Sequence, residues 1–438
     1  TAGPGVASGG SGDVLTGGAG TIDFEAENGA ITMADGATAT TANANIRYGA
    51  AQNVTVGGLD AGLADVSLVA AAGNITDGGD SDTDVVADEL RMEAGGNIGE
   101  PQGTNNGLME TTINELAAVA EGANGIFLTD DQALDVHEVG PVAATRVQTD
   151  SGTSVEESDD NLSDVSTATN GGVILLTTTA GDLTVTDGGD GDTLGIDADG
   201  DGNILLETTG SGTGVDIGAD VQSGSGNITI LADRDVTFTD GTDLATAGGG
   251  TIDVEATSGA IDLSTTSDQN AGSGDIRLLA ATNITLGGTA TTTGDLSATA
   301  QAGWIRDGDA DGSVDIEAGA LRLDAAVGIG QLGADVNPIE TTVATLSGRA
   351  GAEGINVFES DALTVGEVTT TVRRVGSDAN VSDVTDALQS DLITTDGSNG
   401  SIILQTVAGE VTLQDGTAPS DDVAISADGS GRVLVEAI

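Results

Sequence analysis

With 438 residues, 71 acidic side chains against 11 basic ones and a formal net charge of −60, the chain repels nucleic-acid phosphates and anionic lipid surfaces, so neither is an expected partner. It has no cysteine and a single histidine, His137, which removes disulfides, zinc-finger spacing, thiol nucleophiles and any histidine-based triad. Aromatic residues make up 1% of the chain and glycines number 69, so the core has to be thin and filled by small aliphatic side chains. Every basic residue is an arginine. No apolar run approaches the ~20 residues that span a bilayer, so membrane insertion is not expected.

Taken in chain order, the predicted elements are short and alike. Ile22-Asp23-Phe24-Glu25 is followed by Asn28-Gly29, then Ile31-Thr32-Met33 and Asp35-Gly36. Ile46-Arg47-Tyr48 is followed by Val54-Thr55-Val56 and Gly57-Gly58; later come Ile204-Leu205-Leu206, Val215-Asp216-Ile217, Ile228-Thr229-Ile230 and Val236-Thr237-Phe238. Apolar residues at every second position, bounded by Gly, Asn or Asp, predict half-buried strands. No stretch keeps a helical apolar period for three turns, so helix is expected to be nearly absent. The rhythm breaks at residues 101–106, matched near 333–338, and at the acidic residues 150–160, matched near 377–391; both pairs predict projecting loops.

The chain also repeats itself on a longer scale. Gly20-Thr21-Ile22-Asp23-Phe24-Glu25-Ala26 returns as Gly250-Thr251-Ile252-Asp253-Val254-Glu255-Ala256, an offset of 230. The same offset links Asn53-Val54-Thr55-Val56-Gly57-Gly58 to Asn283-Ile284-Thr285-Leu286-Gly287-Gly288, and Glu110-Thr111-Thr112 to Glu340-Thr341-Thr342. It slips only to 229 between Leu134 and Leu363 and to 228 between Gly181 and Gly409. The division is residues 1–207 as a first copy that opens in mid-repeat, 208–230 as the remainder of that period, and 231–438 as a truncated second copy. The chain is therefore expected to be a piece of something longer. β-Sandwich arrays repeat at roughly 100 residues, and this period does not divide naturally into such modules. A strand rhythm of about 20 residues instead predicts the coils of a parallel β-helix, an all-β solenoid of about 20 coils. Stacked at ~4.8 Å per coil, they would make a rod on the order of 100 Å long.

Four stretches share one cadence: Ala72-Gly73-Asn74-Ile75-Thr76-Asp77-Gly78, Gly202-Asn203-Ile204-Leu205-Leu206, Gly226-Asn227-Ile228-Thr229-Ile230 and Thr282-Asn283-Ile284-Thr285-Leu286-Gly287-Gly288. In these motifs, and in rhythm and composition over nearly its whole length, the chain resembles the repeat region of giant secreted bacterial exoproteins of the filamentous-haemagglutinin-like kind. The resemblance implies a right-handed parallel β-helix, export across the cell envelope, and a role as a surface fibre or adhesin shaft. It carries over no binding residue and no secretion route.

Calcium is the one cofactor the residues suggest. Asp307, Asp309 and Asp311 sit in a D-x-D-x-D-G run, the opening of a calcium loop. An EF-hand would close it with glutamate at the twelfth loop position, where this chain has Ala318. Asp77, Asp80 and Asp82 lie in the acidic run of the first copy, where only Asp77 aligns with Asp307. Asp197, Asp199 and Asp201 repeat the D-x-D-x-D-G opening, but two of the three carboxylates are missing from the second copy. Asp190-Gly191-Asp192 is a solitary fragment of a calcium-binding nonapeptide. No catalytic pair stands out among so many carboxylates, and the few aromatics leave no platform for stacking sugars. The expected function is a non-catalytic structural shaft at a bacterial cell surface. A calcium-rigidified β-sandwich stalk and a polysaccharide-active β-helix enzyme are the alternatives. Expected partners are further copies of the repeat in the parent chain and, laterally, other fibres of the same kind.

Overall fold

The alternating apolar segments become strands that stack in parallel, each on the segment one coil earlier. The computed structural model describes residues 6–7, 12–79, 81–101, 107–151, 154–168, 171–309, 311–395, 397, 399–418 and 420–438. These form 48 strands and no helix, so no helix among the described residues could cross a membrane. The chain divides into two units: Thr1–Thr213 with Gly218–Gly226 and Val375–Asn380, and Gly214–Ile217 with Asn227–Arg374 and Val381–Ile438.

Within the first unit, Ile22–Ala26 pairs with Ile46–Ala50, which pairs with Val66–Ala70, then Glu89–Ala94, then Glu115–Ala120, all parallel. The register sets like upon like. Ile22, Ile46, Val66, Leu90 and Leu116 form one stack, and Ala26, Ala50, Ala70, Ala94 and Ala120 form another. Between them run Phe24, Tyr48, Leu68, Met92 and Ala118, with the Phe24 and Tyr48 rings stacked at 4.8 Å. A one-residue slip would turn each apolar set outward, so burial enforces the register. The second unit builds the same stacks from Ile228, Ile252, Ile276, Leu296 and Leu321, and from Ala232, Ala256, Ala280, Ala300 and Ala325. This is the parallel β-helix expected from the sequence; in a β-sandwich, hairpin neighbours would run antiparallel.

The Gly-Asn motif has a stacking role. Asn53 Oδ1 accepts from the Asn74 amide (3.0 Å), Asn74 Oδ1 from the Asn97 amide (2.9 Å), and Asn97 Oδ1 from the Asn124 amide (2.9 Å). Each side chain satisfies a turn N–H in the next coil. A Cβ on Gly96 would lie 2.1 Å from Asn74 Oδ1, and one on Gly122 would lie 2.1 Å from Asn97 Oδ1. Glycine beside the ladder leaves room for the asparagine below it.

The two rhythm breaks resolve differently. Residues 102–106 lie outside the described residues; the matching segment folds back on itself through an antiparallel bridge between Gln331 and Asn337. The acidic stretch does leave the coil path, so that Gly125 pairs with Val173, 48 residues on. It does not, however, project freely. Val142–Val147 and Ser154–Asp159 form an antiparallel hairpin, and in the second repeat Thr371–Val375 and Val381–Thr385 form its counterpart. Each hairpin lies against the outer face of the coil strands.

Candidate functional site

Strand residues that alternate with the core point outward, and in both repeats one patch of them is buried: Ser67, Arg91 and Ala117 in the first, Arg277, Ser297 and Arg322 in the second. The hairpin covers them. Arg47 donates to Asp23 (3.1 Å) and Glu25 (3.0 Å) on its own face and, through Nε, to Asp159 of the hairpin (3.0 Å). Arg146 reaches back from the hairpin to Asp23 and to Glu25 (3.1 Å). Arg91 Nε donates to the Asp160 carbonyl (2.8 Å), and Val139, Val142 and Leu162 pack on Ala117.

The second repeat uses the equivalent residues. Arg277 joins Asp253 (2.9 Å), Glu255 (3.3 Å) and Asp386 (3.0 Å); Arg374 joins Asp253 (2.6 Å) and Glu255; Arg322 donates to the Ala387 carbonyl (3.1 Å). Six of the 11 arginines thus clamp a hairpin to a face. Guanidinium suits this task because its planar fork serves two or three acceptors at once. Burial alone would push the Glu255 carboxyl up, but Arg374 and Arg277 outweigh it and hold it below the ordinary glutamate value.

A second kind of site gathers carboxylates alone. Asp77 ends the strand Ile75–Asp77, Asp84 immediately precedes Val85–Val86, and Glu110 lies in Met109–Thr112 on the next coil. Because Val85 pairs with Thr111, Asp84 stacks on Glu110: the Asp84 N–H donates to the Glu110 carbonyl (2.8 Å), and the Glu110 N–H donates to Asp84 Oδ2 (3.0 Å). In the second unit Asp307, Asp315 and Glu340 repeat this, with the Asp315 N–H on the Glu340 carbonyl (2.9 Å) and the Glu340 N–H on Asp315 Oδ2 (2.8 Å). In each trio a carboxylate oxygen from every member lies within 4.8 Å of the other two. Burial, with the charges of the other carboxylates, pushes Asp84 up to about 10, Asp315 to about 9 and Glu340 to about 7.

A buried carboxylate need not be left this way. Asp130 is as deeply buried, yet accepts from Thr111 Oγ1 (2.7 Å), Ile113 N (3.0 Å) and Gln132 N (2.8 Å). By contrast Asp84 Oδ1 and Glu340 Oε2 are buried without a hydrogen-bond partner.

Of the eleven aspartates that the sequence motifs single out, Asp77 and Asp307 enter these trios, and Asp190 and Asp192 enter a separate cluster with Asp164. Asp80 lies outside the described residues, and Asp82 is exposed in the loop between Asp77 and Asp84. Asp309 and Asp311 form successive side-chain turns: the Asp309 N–H donates to Asp307 (2.8 Å), the Asp311 N–H to Asp309 (3.1 Å), and the Ser313 N–H to Asp311 (2.6 Å). Asp197 lies on the strand Leu194–Ala198, while Asp199 and Asp201 are exposed in the turn after it, and the structure does not gather these three. Asp84, Asp315, Glu110 and Glu340 were not picked out as ligands, because strand glutamates and a loop-end aspartate carry no motif. The signal that could find them is the repeat itself: Asp77 and Glu110 return as Asp307 and Glu340 at the offset of 230, and Asp84 returns as Asp315 at 231.

Asp164 with Asp190 and Asp192, and Asp391 with Asp415 and Asp421, form a more open pair of clusters. The first lines a groove of about 420 Å³ with Asn161, Ser163 and Ser166. Burial and the Asp190 and Asp192 charges push Asp164 up to about 7. Compared with family models, curated proteins and solved structures, the chain matches none.

Proposed function

We propose that the chain is a non-catalytic shaft segment of a long extracellular bacterial fibre or adhesin, of the filamentous-haemagglutinin-like kind. The observation that carries this is the like-on-like register: each coil covers the apolar edge of the last, so length grows by adding coils and stability is a nearest-neighbour sum. Further copies of the same repeat are then the natural partners, joined by the same stacking rule. Surface carboxylates keep so long an apolar core soluble and keep neighbouring fibres apart until cations screen them. A catalytic role is disfavoured because Asp84 and Asp315 are buried in the coil stack, and the lining of the Asp164 groove includes no aromatic side chain.

Immunogold labelling of source cells with antibody raised against this chain tests the proposal. Label on filaments outside the envelope is expected. Label confined to the cytoplasm would overturn it, as would release of reducing ends from acidic polysaccharides by the purified chain.

A further inference from the structure

We propose that each repeat holds one divalent cation, calcium by its ligand chemistry, among the carboxylates of Asp77, Asp84 and Glu110 in one unit and Asp307, Asp315 and Glu340 in the other. The proposal rests first on recurrence: two sequence-distant places build the same trio with the same pair of backbone hydrogen bonds. It rests second on orphaned oxygens. Asp84 is 0% exposed and Glu340 8% exposed, yet Asp84 Oδ1 and Glu340 Oε2 have no hydrogen-bond partner, and each of these carboxyl groups has an oxygen within 4.8 Å of two further carboxylates. Three such groups at this spacing repel one another strongly unless protons or a cation lie between them.

Size and hardness select the ion. Calcium takes oxygen ligands at about 2.3–2.6 Å, so one ion spans oxygens as far apart as about 5 Å. Magnesium demands a tighter octahedron and keeps most of its water, which suits a buried all-carboxylate cleft poorly. The remaining ligands would be carbonyls or water.

The placement says what the ion does. Asp77 and Asp84 are the two ends of one loop, and Glu110 belongs to the coil above; in the second unit Asp307 and Asp315 end the loop and Glu340 lies above. One ion therefore closes a loop and ties it to the next coil. This extends the shaft function proposed above but is tested separately from it, since calcium uptake can be measured whatever the cellular location.

The experiment is calorimetric calcium titration of the chelator-stripped full chain, paired with thermal melting in millimolar calcium and in chelator. The variants are Asp84→Asn with Asp315→Asn, Glu110→Ala with Glu340→Ala, and the exposed control Asp82→Asn with Asp311→Asn. Wild type is expected to melt higher in calcium. Both trio variants should bind two fewer equivalents and lose the calcium-dependent rise, while the control binds as wild type does. Because amides relieve the repulsion, the Asp84→Asn, Asp315→Asn chain should melt above wild type in chelator, which separates loss of a ligand from loss of folding. Equal melting of wild type in calcium and chelator would overturn the site, as would trio variants whose calcium uptake matches wild type.

Discussion

Tyr48 and Leu278 occupy the same place in the two repeats, and only the first carries a hydroxyl. That hydroxyl is buried in the core stack without a partner, and burial pushes its pKa well above the usual tyrosine value. Tyr48→Phe keeps the ring against Phe24 and removes the orphan, so it should stabilise the chain by about 1 kcal/mol. A lower unfolding midpoint in urea would show instead that the hydroxyl is satisfied. Gly96 illustrates the opposite constraint. Its Cβ would meet Asn74 Oδ1 at 2.1 Å and the Gly73 carbonyl at 2.9 Å, so Gly96→Ala must push the ladder apart. We expect a loss of about 1–3 kcal/mol in the same assay. Gly249, with nothing within 4 Å of its Cβ position, should tolerate alanine within about 0.5 kcal/mol. The Gly-Asn spacing was legible in the sequence as a turn signal. Its role in making room for the neighbouring coil was not, because the clashing atom lies a whole coil away.

At the scale of elements, the hairpin is the feature that sequence reading placed only in part. Its acidic composition marked a departure from the coil path, which the structure bears out. Its docking depends on Arg47 meeting Asp159 across 112 residues and Arg277 meeting Asp386 across 109, and local pattern carries no sign of either. Arg277→Lys tests the clamp. One ammonium cannot reach Asp253, Glu255 and Asp386 together, and Asp253 is fully buried. The expected cost is about 2–4 kcal/mol, with faster amide exchange in residues 371–386. Arg234→Lys, at a half-exposed pair with Asp235, should change neither by a measurable amount. If both variants exchange alike, the clamp does not hold the hairpin down.

Over the whole molecule, two opposed pH effects follow from where the carboxyls sit. Asp84 and Asp315 keep their protons in the folded state up to about 10 and about 9, whereas the unfolded chain releases them near about 4. The folded state then binds more protons, so stability falls as pH rises through that interval. Glu255 acts the other way: held below its ordinary value, it contributes above about pH 4 and is lost on further acidification. In chelator the melting midpoint should therefore decline from about pH 5 to about pH 9, and a bound cation should flatten the decline. A midpoint that rises with pH across this range in chelator would contradict the raised carboxyl values.

What the sequence by itself determined was everything that depends on neighbours along the chain and on period. Alternation made strands, glycine and asparagine made corners, and the offset of 230 duplicated the whole design. Composition likewise required a thin aliphatic core. Only the tertiary structure decided which carboxylates would meet. In a solenoid, contacts run between coils, so Asp84 faces Glu110 and Asp315 faces Glu340 through stacking rather than proximity in sequence. The same geometry turned an acidic loop into a clamped strap. Local pattern specifies the rung, but the meeting of side chains on successive rungs is set by register, which only burial of the whole stack can impose.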